Sequence, residues 1–341
     1  MSENKVKIDR LVTSATIGEE DFSPNQETSL RPQTFREFPG QQRVVDNLKV
    51  YVTAAKKRGE ALDHVILHGP PELGKTTLAK IIANEMQAPF VQTSAPAIEK
   101  TGDLAGILAG LESNTVIFID EIHRLNIAIE EVLYSAMEDF CIDLTIGQGQ
   151  AARSAKMPLS RFTLIGATTR LAKLSSPLIS RFGIQEHMAF YESEDLQEIL
   201  LRSSKILGMN IEPKAAHELA KRSRGTPRIA NRLLKRLRDF ADFEDVDVID
   251  SELVHRVLGH LEIDPHGLDK MDRTILTTIA ERYDGGPVGI EALAATIGED
   301  RNTLEDIYEP YLVHNHYISR GPRGREITPT ALAHLKKGSL G

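Results

Sequence analysis

Eight consecutive residues, Gly69-Pro70-Pro71-Glu72-Leu73-Gly74-Lys75-Thr76, constrain this chain more than any other feature. They match G-x-x-x-x-G-K-[ST], a loop whose backbone N–H groups curl around phosphate oxygens. That meaning requires a strand before the loop and a helix after it. Val65-Ile66-Leu67 is short, apolar and rich in β-branched residues, and Thr76–Met86 has helical spacing of its apolar positions. The glycines, Gly69 and Gly74, give the loop its curvature, and the helix N-terminus adds partial positive charge. Lys75 is expected at the β- and γ-phosphates, and Thr76 at Mg²⁺. The segment reads as a site for ATP with Mg²⁺.

Thr115-Val116-Ile117-Phe118-Ile119 and Phe162-Thr163-Leu164-Ile165 are likewise nearly all apolar. Such runs read as strands buried on both faces, hence a parallel sheet covered by helices in an α/β doubly wound core. The first run delivers Asp120 and Glu121 at its C-terminal edge, where ligands sit in such sheets. Asp120 would hold Mg²⁺ through water, and Glu121 would polarise an attacking water as general base. An acidic pair after a strand can also cap a helix; the phosphate loop upstream favours the chemical role.

From Ser193 to about Leu261 the strand signals vanish. Leu196, Ile199 and Leu200 repeat at helical spacing, as do Ile229, Leu233, Leu234 and Leu237. Thr226 is placed to cap the second of these helices, with Pro227 at its first position. Asp264-Pro265-His266-Gly267 reads as a linker. Beyond it, Asp272–Arg282, Ile290–Ile297 and Arg301–Val313 read as helices, followed by a hairpin around Gly-Pro-Arg-Gly, which together make a winged helix. The expected division is a mobile tail (1–25), an ATPase core (26–191), a small all-helical lid (192–262) and a winged-helix DNA-binding head (263–341).

The net charge of −8 argues weakly against a nucleic-acid partner, but its distribution does not. From Tyr311 to Gly341 five Lys/Arg face one acid, and Lys221 to Arg238 holds eight basic residues and no acid. Arg301, Arg320 and Arg325 fall in the winged helix, where arginine suits phosphate contacts. DNA binding there is expected to follow the backbone, since no base-reading pattern is visible. There is no apolar run long enough for a bilayer, and Met1 to Arg10 lacks the apolar core of a secretory signal. Cys141 is the only cysteine, which removes intramolecular disulfides and cysteine metal cages and fits a cytoplasmic setting without a membrane partner.

Several segments together identify a resemblance. Ile119-Asp120-Glu121-Ile122-His123-Arg124-Leu125, Ile165-Gly166-Ala167-Thr168-Thr169-Arg170, Gly225-Thr226-Pro227-Arg228-Ile229-Ala230-Asn231-Arg232, Pro322-Arg323-Gly324-Arg325, Glu309-Pro310-Tyr311-Leu312 and the start at Leu30-Arg31-Pro32 are similar to the RuvB family. These are AAA+ ATPases that drive branch migration of Holliday junctions. The resemblance spans about Arg10 to Leu335. It implies that Thr169 is sensor 1, that Arg181 is an arginine finger acting on the neighbouring subunit's ATP, and that Arg228 is sensor 2. It implies an adenine and ribose pocket of Leu30, Arg31 and Tyr191, with Thr77 beside the phosphates and Glu138-Asp139-Phe140 near the nucleotide. It further implies a homo-hexamer on the duplex arms of a four-way junction, working with a RuvA-type adaptor.

The chain departs from the family at three places. Glu72 stands where the family has glycine; if that position takes a positive φ, the acid costs on the order of 1 kcal/mol and sets a negative charge near phosphates. Leu171-Ala172-Lys173 replaces an Ala-Gly pair. Ala155 to Arg161 replaces a run with two isoleucines and paired prolines that ends the hairpin on which the adaptor docks, so Ala155 and Met157 are weaker apolar anchors. Two functions are therefore carried: a DNA motor that hydrolyses ATP, and a diverged ATP- and DNA-binding switch or loader subunit with weak turnover.

Overall fold

The computed structural model describes residues 30–146 and 153–338. The expected N-terminal tail lies outside them. The described chain forms two compact units, 32–189 and 190–338 with 30–31.

The first unit is built on five parallel strands: β1 (Val65–His68), β2 (Phe90–Ser94), β3 (Val116–Asp120), β6 (Thr163–Thr168) and β7 (Ile184–His187), in the order β2-β3-β6-β1-β7. The three central strands are buried along almost their whole length, which is why they read as unbroken apolar runs. Helices α1 (Gln42–Arg58), α2 (Lys75–Met86), α3 (Thr101–Ala109) and α4 (Ile127–Glu138) connect and cover them. A separate antiparallel hairpin joins β4 (Cys141–Ile146) to β5 (Arg153–Pro158). Met157 is half-buried against the core around Phe162, so it serves the fold as well as any docking surface. The Ala155 side chain is outside the described residues.

Parallel pairing sets the functional edge. Ile66 of β1 and Ile119 of β3 are both level with Gly166 of β6. The loops after all three strands therefore leave the sheet at one edge. Gly166 is a matter of space: a Cβ there would lie 3.0 Å from the Cδ1 atoms of Ile122 and Ile66, and 3.2 Å from Phe182 Cζ.

In the second unit, α6 (Ser193–Ile206), α7 (Pro213–Lys221), α8 (Pro227–Phe243) and α9 (Ser251–His260) form a helical bundle, with one short parallel pair, β8 (Asn210–Ile211) with β9 (Val248–Ile249), which the sequence did not announce. Thr226 does sit at the N-cap of α8 with Pro227 after it, but its hydroxyl donates back to Ser223 O at 3.4 Å instead of capping. The winged helix contains α10 (Lys270–Arg282), α11 (Ile290–Ile297), a helical stretch 301–314 ending in α12 (Glu309–His314), the wing β10 (Ile318–Gly321) and β11 (Gly324–Ile327), and α13 (Pro329–Gly338). Its core gathers Leu268, Leu276, Ile279, Leu312 and Ala331, all fully buried. The 264–267 segment is a tied turn rather than a slack linker. Asp264 accepts from the backbone N–H of His266 (2.8 Å) and Leu268 (2.9 Å), and lies 2.7 Å from His334 Nε2.

Candidate functional site

The phosphate loop leaves β1 through Gly69, whose φ of +142° and 2.1 Å clearance between a built Cβ and Met188 O admit only glycine. Gly69 N donates to Thr168 O at 3.2 Å, tying the loop to β6. Gly74, at φ +94°, turns the chain into α2. Lys75 opens that helix and is buried, its ammonium donating to Gly69 O (3.0 Å) and Pro70 O (2.6 Å). Burial pulls its pKa down to about 8, against the attraction of Asp120. Phosphates at the loop would favour the charged form and raise that pKa again. Nucleotide binding should then take up a proton above pH 8, leaving affinity flat below that pH and weaker above it, by up to about tenfold per unit. Calorimetric titration at pH 7.5 and 9.5, in buffers of different ionisation enthalpy, measures both effects; equal affinity at the two values would refute the coupling.

Glu72 adopts φ +64°, the left-handed conformation suspected for this position. That strain is worth about 1 kcal/mol of stability. The charge belongs to binding, because it repels incoming phosphates. Glu72→Gly should therefore tighten ATP binding severalfold at low salt, less at high salt, with a smaller change in thermal midpoint. Unchanged or weaker binding across a salt series would show that this loop has adapted to the acid.

At the end of β3, the carboxyl of Asp120 is pushed up from the usual carboxylate range, chiefly by burial, while the Glu121 N–H, donating to Oδ1 at 2.9 Å, and Lys75 pull the other way. Glu121 has φ +49°, and its carboxylate is paired with Arg124 at 2.7 Å. Thr168, at the end of β6, is buried; its hydroxyl is 2.9 Å from His123 Nδ1 and accepts from Arg170 N. Thr169 follows, half-buried. His123 thus links the turn after Asp120-Glu121 to Thr168, the last residue of β6, a connection that sequence reasoning missed.

Thr76 and Asp120 are the residues here that would hold a metal. No group of three or more His, Cys, Asp or Glu side chains is placed to hold a metal among the described residues. The Thr76 hydroxyl and Asp120 carboxylate are hard oxygen donors. A few such ligands, completed by water and substrate phosphates, suit Mg²⁺ rather than a metal needing a full protein cage.

Arg181 follows the short α5 (Ser176–Ser180) and is drawn back onto its own unit. It donates to Glu138 Oε2 (2.8 Å) and Pro177 O (2.7 Å), and its guanidinium lies 4.6 Å from the Tyr134 ring centroid. Glu138 and Asp139 are exposed, whereas Phe140 packs edge-on to Phe162 and beneath Arg161.

Leu30, Arg31, Tyr191 and Arg228 belong to the other unit. Leu30 is buried and its carbonyl accepts from Arg202 Nη1 at 2.7 Å. Tyr191 is buried, its N–H donating to Gly225 O at 2.9 Å, and burial pushes its phenol up. Arg228 is exposed in the first turn of α8. Four of the eight basic residues from Lys221 to Arg238 are paired with acids: Lys221 and Arg222 with Glu218, Arg224 with Asp272, and Arg236 with Asp239.

The wing corrects one expectation. Arg320 and Arg325 are cross-strand partners, as their flanking of the turn suggests. Arg320 is exposed, lying 3.3 Å from Glu309 and 3.6 Å from Glu305. Arg325 is buried and bonded to Glu309 (2.7 Å) and Glu305 (3.0 Å), so in this conformation it braces the wing instead of reaching outward. Arg301, on the same helical stretch as those acids, is half-exposed and pairs with Glu291 and Glu305. Arg323 at the hairpin tip has 82% of its side chain exposed and was not singled out from sequence; its place in the Gly-Pro-Arg-Gly turn was the available signal.

Family models match three consecutive stretches: the P-loop domain of Holliday junction DNA helicase RuvB over residues 30–188, the RuvB AAA lid domain over 191–264, and the RuvB C-terminal winged-helix domain over 265–336. Among curated proteins, the chain is 54% identical over 309 residues to the Holliday junction branch migration complex subunit RuvB of Lacticaseibacillus casei, covering 91% of each. It is 53% identical to the same subunit of Pediococcus pentosaceus, covering 96% of this chain and 97% of that one. Among solved structures, the Thermotoga maritima RuvB Holliday junction branch migration motor superposes with a TM-score of 0.84 at 51% identity, over 90% of this chain and 98% of that one.

Proposed function

The chain belongs to the RuvB family, and from that premise we propose that it is the AAA+ ATPase that drives branch migration of Holliday junctions in DNA recombination and repair. The observation carrying this is the shared sheet edge, where parallel β1, β6 and β3 bring the Lys75 loop, Thr168-Thr169 and Asp120-Glu121 together, in a chain that also bears a winged helix. Lys75 and the loop amides hold the β- and γ-phosphates, with Gly69, Gly74 and Thr77 shaping the loop. Thr76 and Asp120 would hold Mg²⁺, which neutralises charge on the phosphate oxygens. Glu121 takes the proton of the attacking water, oriented by Thr169. Arg181 acts on the ATP of a neighbouring subunit, and Arg228 senses the γ-phosphate in its own. Leu30, Arg31 and Tyr191 hold adenine and ribose, with Glu138, Asp139 and Phe140 nearby. Domain limits at 26–191, 192–262 and 263–341, a homo-hexameric ring, a RuvA-type adaptor docking on the β4–β5 hairpin and a cytoplasmic setting complete the reading. No helix among the described residues is long and apolar enough to cross a membrane.

DNA contact rests on Arg301, Arg320 and, by its exposure, Arg323, with Arg325 setting the wing's shape. Each phosphate contact removed lowers the salt slope of log K by roughly 0.9. Arg320→Ala with Arg323→Ala should flatten the slope by about 2 on junction and duplex alike, leaving nucleotide affinity unchanged. A wild-type slope in this double variant would remove the wing from the DNA grip.

The left-handed Glu72 favours a second reading, an ATP- and DNA-binding switch with weak turnover. ATPase rate with and without junction DNA separates the two: strong stimulation identifies the motor, and a slow, unresponsive rate the switch.

A further inference from the structure

The turn before α8 is gripped by the winged helix of the same unit. Arg224 is buried at φ +53°, a backbone state that arginine occupies only when its surroundings impose it. Its Nη1 donates to Asp272 Oδ2 at 2.9 Å and reaches Asp269 Oδ2 at 3.4 Å; these two acids form the capping box that starts α10. The guanidinium lies 4.7 Å from the Tyr311 ring centroid and 5.6 Å from that of Tyr308. Asp272 is wholly buried, and burial raises its pKa to about 7 despite Arg224. Neighbouring contacts are equally close. A Cβ on Gly225 would sit 2.8 Å from Phe190 Cβ, and the Phe190 ring meets Tyr311 edge-on; a Cβ on Gly267 would sit 3.0 Å from Arg222 O.

Two modules joined by an Asp-Pro-His-Gly segment are expected to move relative to each other. Here a directional ion pair, two aromatic rings and a tied turn oppose that motion. The pair ends four residues before Arg228, in the first turn of α8. A buried ion pair is a poor way to gain net stability, since packed apolar residues often do as well. What it does supply is a fixed geometry: the planar fork of arginine accepts few arrangements of its acid and rings.

We propose that Arg224, held by Asp272 beside Tyr308 and Tyr311, is the mechanical coupling that makes a displacement of the DNA-binding winged helix a displacement of α8 and Arg228, and so ties ATP turnover to DNA movement. The proposal rests on the reading of Arg228 as the γ-phosphate sensor and of the wing as the DNA grip. Arg224 touches neither substrate and is a positioning residue.

The test is the ratio of base pairs migrated to ATP hydrolysed, measured on full-length rings with a synthetic four-way junction and the RuvA-type adaptor. Asp272→Asn removes one charge and keeps the size of the cap. Arg224→Met with Asp272→Leu removes both charges and retains packing, which guards against a variant that merely unfolds. Both should keep DNA-free ATPase and junction affinity within about twofold, lose most DNA stimulation and migrate at least fivefold fewer base pairs per ATP. A folded double variant with the wild-type ratio overturns the proposal. Arg228→Ala and the wing variants are run alongside: if they lose activity while the double variant keeps its ratio, only the coupling is wrong; if they are neutral, the underlying reading has failed.

Discussion

Replacing Glu121 by Gln should leave ATP bound and cut turnover by roughly 10²- to 10⁴-fold, the span a general base contributes. Glutamine has nearly the shape of glutamate and tolerates the same local backbone, so β3 and Asp120 should be undisturbed. What disappears is the carboxylate proposed to take a proton from water. The structure adds a second expectation. Glu121 is engaged with Arg124 at 2.7 Å, an exposed pair of small energetic worth. Arg124 engages only Oε2, so the pair does not by itself keep a water molecule from the other carboxylate oxygen. Arg124→Ala should therefore keep turnover near the wild-type rate, within a few fold, while Glu121→Gln abolishes it. Nucleotide affinity by titration, beside phosphate release over time, is sufficient. Near-normal release from Glu121→Gln would move the base elsewhere.

An effect of comparable size is expected at Arg181. Trans-acting arginines contribute about 10³- to 10⁵-fold in related phosphoryl transfers, so Arg181→Ala should bind ATP normally and hydrolyse almost none. In this structure the side chain is folded inward, held by Glu138, Pro177 O and the face of Tyr134. If Arg181 acts on the next subunit's ATP, the Arg181 and Glu121 defects fall on different subunits, which makes a mixing experiment informative. Inactive Arg181→Ala subunits combined with inactive Glu121→Gln subunits should regain activity wherever an intact Glu121 faces an intact Arg181 from next door. Mixed rings that demonstrably form yet recover nothing would refute action in trans.

Much of this was legible in the sequence because burial and spacing are local signals. Three strands wholly inside a parallel sheet could hardly be anything but continuous apolar runs, and the phosphate loop and Asp120-Glu121 announced themselves by position after them. Edge strands were harder. Phe90–Ser94 is only partly buried and Ile184–His187 alternates between buried and exposed, so neither gave the unbroken run. Side-chain partners were out of reach for a different reason. The burial of Arg325 depends on Glu305 and Glu309, twenty and sixteen residues away, and only their spacing of four on one helix face hinted at an acidic seat. The Arg224–Asp272 pair spans forty-eight positions and crosses from lid to winged helix, and no motif records it.

The close fit around Gly166 limits where the enzyme can vary. The middle strand lies between the strand that feeds the phosphate loop and the strand that presents Asp120, and the space a side chain at position 166 would need is taken by Ile66, Ile122 and Phe182. One added methyl group must push Ile66, Ile122 or Phe182 aside, at an overpacking cost of typically 1–3 kcal/mol. Adjustment of rate or affinity during divergence is therefore channelled out of the sheet and into the loops at its edge. The acid at position 72 and the 171–173 segment both lie in those loops.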